Sequence, residues 1–129
     1  MVIDTSALLA ILLDENERRA FNEAIEAAES RFMSVASFVE VSIVVESRFG
    51  AEGVQTLDLF LDRAGIELAA VDAEQAKIAR RAFSRFGKGR HSAGLNFGDC
   101  FPYALAMVRG EPLLFKGDDF AQTDVPRVS

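Results

Sequence analysis

Five acidic residues stand where a chain of alternating strands and helices would expose them together. Asp4 follows the β-forming opening "MVI", and Glu40 lies inside the apolar stretch "SFVEVSIVV". Asp99 opens the apolar run of "LNFGDCFPYALA", and Asp118 and Asp119 follow "PLLFK" through Gly117. Singly, each has a plain structural role. Aspartate is a favoured N-cap, which would account for Asp4 and Asp99, and Pro102 suits the first turn of a helix that begins there. Glu40 stands three residues after Ser37, the spacing of a capping box. Gly-Asp-Asp is an ordinary polar turn. Jointly the acids are harder to dismiss, because clustered carboxylates repel one another strongly in a low-dielectric cleft unless a cation lies among them. An all-oxygen set of this kind suits Mg²⁺ or Mn²⁺ rather than Zn²⁺. With one histidine, His91, and one cysteine, Cys100, the chain lacks the ligands of a usual zinc site and the pair of histidines that metal-free phosphodiester chemistry needs. A Ser-His-Asp triad would have to use His91, in a glycine-rich loop with no nucleophile elbow. No phosphate-binding loop or dinucleotide fingerprint occurs.

These acids need a scaffold, and the pattern supplies one. "MVI", "RFMSV", "IELAAV" and "PLLFK" read as short strands, with "VPRV" a further short one. Between them, Thr5–Leu13, Glu15–Ser30, Ala51–Ala64, Ala73–Phe86 and Asp99–Val108 read as helices, with apolar residues three and four apart. In Glu15–Ser30 these are Ala20, Phe21, Ala24, Ile25 and Ala28; in Ala51–Ala64 they are Val54, Leu57, Phe60 and Leu61. The β-branched stretch from Ala36 to Phe49 partly alternates like a strand, but its length and the Ser37/Glu40 spacing favour a helix. On that helix Glu40 shares a face with Ala36, Ser37, Ile43 and Val44, so its carboxylate is expected to be paired, protonated or metal-bound. Residues 87–98 carry four glycines and read as a loop. Strands alternating with helices predict an α/β sandwich on a mostly parallel sheet, in which ligands bind beyond the carboxyl ends of the strands.

The 129 residues suit one domain, 1–129, with a substantial core, and half of them are hydrophobic, which excludes a disordered chain. No apolar run reaches the roughly 20 residues of a membrane span, and Asp4 ahead of Ala7–Leu13 argues against a signal peptide. A single cysteine excludes an intrachain disulfide and fits the cytoplasm. The net charge of −6 argues against a protein that coats nucleic acid. The charge is nevertheless uneven. Lys77, Arg80, Arg81, Arg85, Lys88 and Arg90 form a basic stretch without an acid, the one obvious landing place for a polyanion.

The four segments "MVIDTSAL", "SFVEVSIVV", "LNFGDCFPYALA" and "PLLFKGDDF", in this order and spacing, resemble those of PIN-domain ribonucleases, and of the VapC-type toxins of toxin–antitoxin pairs in particular. The resemblance spans essentially the whole chain. It implies a PIN-like three-layer sandwich with a mostly parallel five-stranded sheet flanked by helices. It also implies Mg²⁺- or Mn²⁺-dependent endonucleolytic cleavage of RNA, leaving 5′-phosphate and 3′-hydroxyl ends. Carried over residue by residue, the metal-binding acids are Asp4, Glu40, Asp99 and Asp118. Asp118 is matched through the triplet Lys116-Gly117-Asp118, which lacks the family's frequent threonine, so Asp119 stays open. Thr5 and Ser6 match small hydroxyl residues that bond a ligand, a water or the acid itself. The resemblance further implies a small cognate antitoxin and a homodimer, with no membrane partner. Other readings are a PIN nuclease of RNA processing without an antitoxin, and a PIN fold kept only as a binding module. A phosphoacceptor receiver domain fits less well, since it needs an acidic pair where Asp4 is followed by Thr5-Ser6.

Overall fold

The computed structural model describes residues 1–128. Four parallel strands, β1 (Val2–Ile3), β2 (Phe32–Ser34), β3 (Glu67–Ala69) and β4 (Leu113–Leu114), form one sheet in the order β3-β2-β1-β4. Five helices connect them: α1 (Thr5–Leu12), α2 (Arg18–Ala27), α3 (Val35–Ala64), α4 (Ala73–Phe86) and α5 (Cys100–Arg109). The strands are short, and their residues are divided between two cores. Val2 and Leu113 face the core that includes Leu105 and Phe86, whereas Ile3 and Leu114 face the core that includes Leu8 and Leu57. A parallel sheet covered by helices on both faces requires this, since successive side chains point to opposite sides. The two apolar clusters are the two interfaces of a three-layer sandwich.

The β-branched stretch after β2 is helical because packing decides it. Ser34 caps α3 by accepting from Ala36 N–H at 3.2 Å, and Val41 and Val45, one turn apart, are buried. The Ser37–Glu40 capping box therefore does not form, and Ser37 lies inside the first turns with its Oγ lacking a partner among the described residues. The predicted separation of two helices around residue 50 survives as a kink, where Gly50 takes φ +67°. Ile43, expected beside Glu40 on a buried face, is 62% exposed.

The sheet has four strands rather than five. The segment read as a last strand makes only one bridge, Leu113 to Arg127, with bonds from Leu113 N–H to Pro126 O and from Val128 N–H to Leu113 O. Pro126 has no N–H to extend the ladder. No helix among the described residues is long and apolar enough to cross a membrane.

The chain runs from β1 outward to β2 and β3, then returns to lay β4 on the other side of β1. The carboxyl ends of β1 and β4 thus flank the switch point of the sheet, where an α/β fold opens a crevice. If burial rather than apolar pattern governs stability, Leu105→Ala on α5 costs about 2–5 kcal/mol, whereas Ile43→Ala changes stability by less than about 0.5 kcal/mol. Urea unfolding of both variants measures this.

Candidate active site

Asp4 sits directly at the end of β1, with its backbone N–H bonded to Leu114 O at 3.0 Å. It is 5% exposed and does cap α1, accepting from Ser6 N–H at 3.0 Å and from the Ser6 hydroxyl at 2.5 Å. The Ser6 Oγ in turn accepts from Lys116 N–H at 3.0 Å. One hydroxyl thereby couples the acid after β1 to the turn after β4. Thr5 turns elsewhere, donating from Oγ1 to Ser37 O at 3.4 Å and joining the starts of α1 and α3. Burial pushes the Asp4 carboxyl above the usual carboxylate range, the two Ser6 bonds oppose that shift, and the charge of Glu40 adds to it.

Asp99 precedes α5 but does not cap it with its side chain. Its Oδ2 accepts from Asn96 N–H, and Asn96 Oδ1 accepts from Asp99 N–H, both at 3.0 Å. This reciprocal pair is a capping box with Asn96 in the cap position, and it fixes the carboxylate while leaving Oδ1 without a hydrogen bond among the described residues. Burial raises the Asp99 carboxyl to about 6. The Asn96 N–H opposes the rise, and the charges of Asp4, Asp119 and Glu40 add to it.

Glu40, half-buried on the second turn of α3, is seated on the backbone just before Asp99. A Cβ on Gly98 would collide with the Glu40 carboxylate. Gly98 and Asn96 are thus site residues that the acid pattern did not single out. The spacing Asn-x-x-Asp could have identified Asn96, whereas nothing in the sequence announces that Gly98 makes room for a side chain from another element.

Asp118 and Asp119 are both exposed on the turn after β4, which Gly117 enters with φ +102°. Phe120 anchors the turn, buried against Phe115 at 5.3 Å between ring centroids. Of the two acids, Asp119 is the one whose charge bears on Asp99. Lys116 points away, toward Glu15 and Glu17 at 3.1 and 3.4 Å. None of the ion pairs among the described residues involves Asp4, Glu40, Asp99, Asp118 or Asp119. Nor do three metal-ligating side chains there stand as a ready-made cage for an ion. His91 is remote from ligand duty. Its Nδ1 accepts from Ala93 N–H and its ring meets Phe86 edge-on, which folds the glycine-rich loop.

A carboxyl held at about 6, against 3.8 in the unfolded chain, destabilises the fold when ionised. That penalty is absent below the unfolded value, grows as the pH rises through the window between the two, and is complete above about 6. Allowing for the partial exposure of Asp99, it amounts to about 1–2 kcal/mol. In chelator-treated protein Asp99→Asn should therefore be more stable than the wild type by about that much at pH 8, and the advantage should shrink as the pH falls from about 6 to about 4. Urea unfolding across that range measures it, and an advantage independent of pH would contradict it.

The PIN domain family profile matches residues 1–126. The chain is 59% identical over 128 residues to a ribonuclease VapC of Mycolicibacterium smegmatis, covering 99% of each. It is 55% identical over 129 residues to VapC ribonuclease Mb0640 of Mycobacterium bovis, covering all of this chain and 98% of that one. Among solved structures, its fold is similar to that of VapC20 of Mycobacterium tuberculosis, described as a Sarcin-Ricin loop cleaving toxin, with TM-score 0.78 at 15% identity over 98% of this chain and 97% of that one. It is also similar to a chain of a toxin-antitoxin complex from Klebsiella pneumoniae, with TM-score 0.71 at 18% identity over 95% and 92%. Acids gathered at the switch point of a parallel sheet, a profile match along nearly the whole chain and relatives identical at more than half their positions agree: this chain belongs to the PIN domain family, among its VapC-type members.

Proposed function

We propose that the protein is a metal-dependent endoribonuclease, the toxin of a toxin–antitoxin pair, hydrolysing RNA through Mg²⁺ or Mn²⁺ held by Asp4, Glu40, Asp99 and an acid of the Asp118-Asp119 turn. The observation that carries the reading is the carboxylate cluster itself: burial holds the protons of two of its members more tightly than usual, and none has a basic partner among the described residues. The full-length relatives named as ribonucleases support the substrate class. The donor set fits a hard divalent ion, being all oxygen. Mg²⁺ keeps several waters and needs only one or two direct carboxylates, so a closed cage of three side chains is not required.

When bound, such an ion lowers the pKa of a water and offsets charge on the phosphate in an in-line displacement. The chain's own residues do the rest. Asp4 and Asp99, clamped by Ser6 and Asn96, present fixed oxygens. Glu40, seated on Gly98, and the turn acid would help to hold the ion or orient the attacking water. The charge that Asp119 brings to Asp99 supports Asp119 as that turn acid, where the triplet match points to Asp118.

The antitoxin reading has support in the solved toxin–antitoxin assemblies of similar fold. A groove of about 310 Å³ between α1 and α3, lined by Leu12, Val45 and Phe49, with Phe49 52% exposed, suits an apolar helix. Val39 and Ile43, 53% and 62% exposed on the same helix, add apolar area for that partner or for a second copy in a homodimer. The same reading makes the protein cytoplasmic.

Purified protein should cut single-stranded RNA with Mg²⁺ or Mn²⁺ and stop when EDTA is added. Asp4→Asn and Asp99→Asn should each lose at least about a hundredfold in rate while remaining folded. Gly98→Ala should displace the Glu40 carboxylate and lose roughly ten- to a hundredfold. Substituting Asp118 and Asp119 one at a time identifies the turn acid. Folded wild type that cuts no RNA with either metal would overturn the reading.

A further inference from the structure

A second feature adjoins Asp99 and is not part of the carboxylate cluster. Phe97, two residues before Asp99, is 78% exposed, the most exposed of the large apolar side chains. Its ring meets that of Phe101, two residues after Asp99, edge to face at 4.9 Å between centroids. The pair therefore straddles the acid. With Phe83, Arg80 and Cys100 it lines an open apolar pocket of about 420 Å³ between α4 and α5. The Arg90 guanidinium lies over the Phe83 ring at 5.9 Å.

The surroundings of this pocket indicate what it takes. No acid lines it. Arg80, which lines it, and Arg90, over the Phe83 ring, are exposed and make no ion pair among the described residues; Lys77, Arg81 and Lys88 are exposed and unpaired elsewhere on the same basic stretch, whereas Arg85 is held by Asp124 at 3.2 Å. A core aromatic has no need of so much exposure, and an apolar protein partner gains nothing from a fringe of unpaired cations. A flat ring attached to a polyanion uses both. We propose that Phe97 and Phe101 form a stacking platform for one nucleobase of the RNA, beside the nucleotide whose phosphate lies at Asp99, with the α4 bases following the backbone. Base–aromatic stacking combined with cationic tracking is the usual way to bind single strands without reading their sequence. The platform rests on the ribonuclease reading for its substrate, but not for its test.

The chain has no tryptophan and one tyrosine, Tyr103, so Phe97→Trp introduces a single tryptophan at the platform, excited selectively near the red edge of its absorption. In an Asp99→Asn background, which prevents cleavage, a short single-stranded RNA should quench that fluorescence, and an oligomer of the same length with abasic ribose-phosphate units should not. By anisotropy with the same labelled RNA, Phe97→Ala should weaken binding about tenfold, the size of one base–aromatic stack, and Phe97→Trp should retain it. The affinity for the abasic oligomer should be unchanged by Phe97→Ala. Equal affinities of all variants for RNA, or quenching by RNA and abasic strand alike, would overturn the platform. So would a Phe97→Ala protein that keeps its RNA affinity but changes from dimer to monomer in light scattering, which would make the pocket an interface between copies. Each of these readings is taken from binding, so it stands whether or not the wild type cleaves RNA with metal.

Discussion

The structure depends on the burial of carboxylates at one end of a parallel sheet, to which their mutual repulsion adds. Asp4 is buried at the end of β1, where the charge of Glu40 bears on it, and the charges of Asp4, Asp119 and Glu40 bear in turn on the partly buried Asp99. Lys116, the nearest base in sequence to the turn acids, is drawn off by Glu15 and Glu17. A fold relieves such repulsion with a proton, a cation or a basic side chain. Asp4 and Asp99 accordingly keep their protons to higher pH than an exposed acid would, and the same oxygens are open to a cation. Active-site acids commonly carry this cost in stability.

The rest of the molecule keeps these oxygens in place. The sheet is short but covered on both faces, so the residues of β1 and β4 are packed into both apolar layers. Ser6 links the acid after β1 to the turn after β4, and Thr5 links the starts of α1 and α3. Asn96 clamps Asp99 in a capping box, and Gly98 leaves room for a glutamate from α3. Each contact is modest, of the order of one hydrogen bond. Together they fix acids that are distant in sequence at one crevice, as a positioned reaction requires.

Most of this was legible in the sequence where the signal is local or periodic. α4 is found over the predicted Ala73–Phe86, and each of the other helices within a few residues of its expected place. The β-branched segment after β2 was harder, because its composition favours a strand while its cap at Ser34 and the burial of Val41 and Val45 make it a helix. Strand number was not legible at the carboxyl end, where Pro126 confines pairing to one bridge. At the site, the choice of acids followed from their positions after strands and from resemblance. The seat of Glu40 on Gly98 did not, since it joins α3 to the loop before α5 and only the assembled fold brings them together. The exposure of Phe97 was hidden for the same reason: an apolar residue before an apolar helix reads as core until the packing is seen.

The proposed reaction requires a divalent cation among the carboxylates at the switch point, which make no ion pair among the described residues. The most direct measurement is a crystal structure of the protein grown with Mn²⁺, using the anomalous signal of the metal. A peak is expected between the Asp4 and Asp99 carboxylates, with Glu40 and one acid of the Asp118-Asp119 turn close enough to contact it directly or through water. A well-ordered site with no anomalous peak, or a peak only on the acidic surface around Asp14 and Glu15, would contradict it.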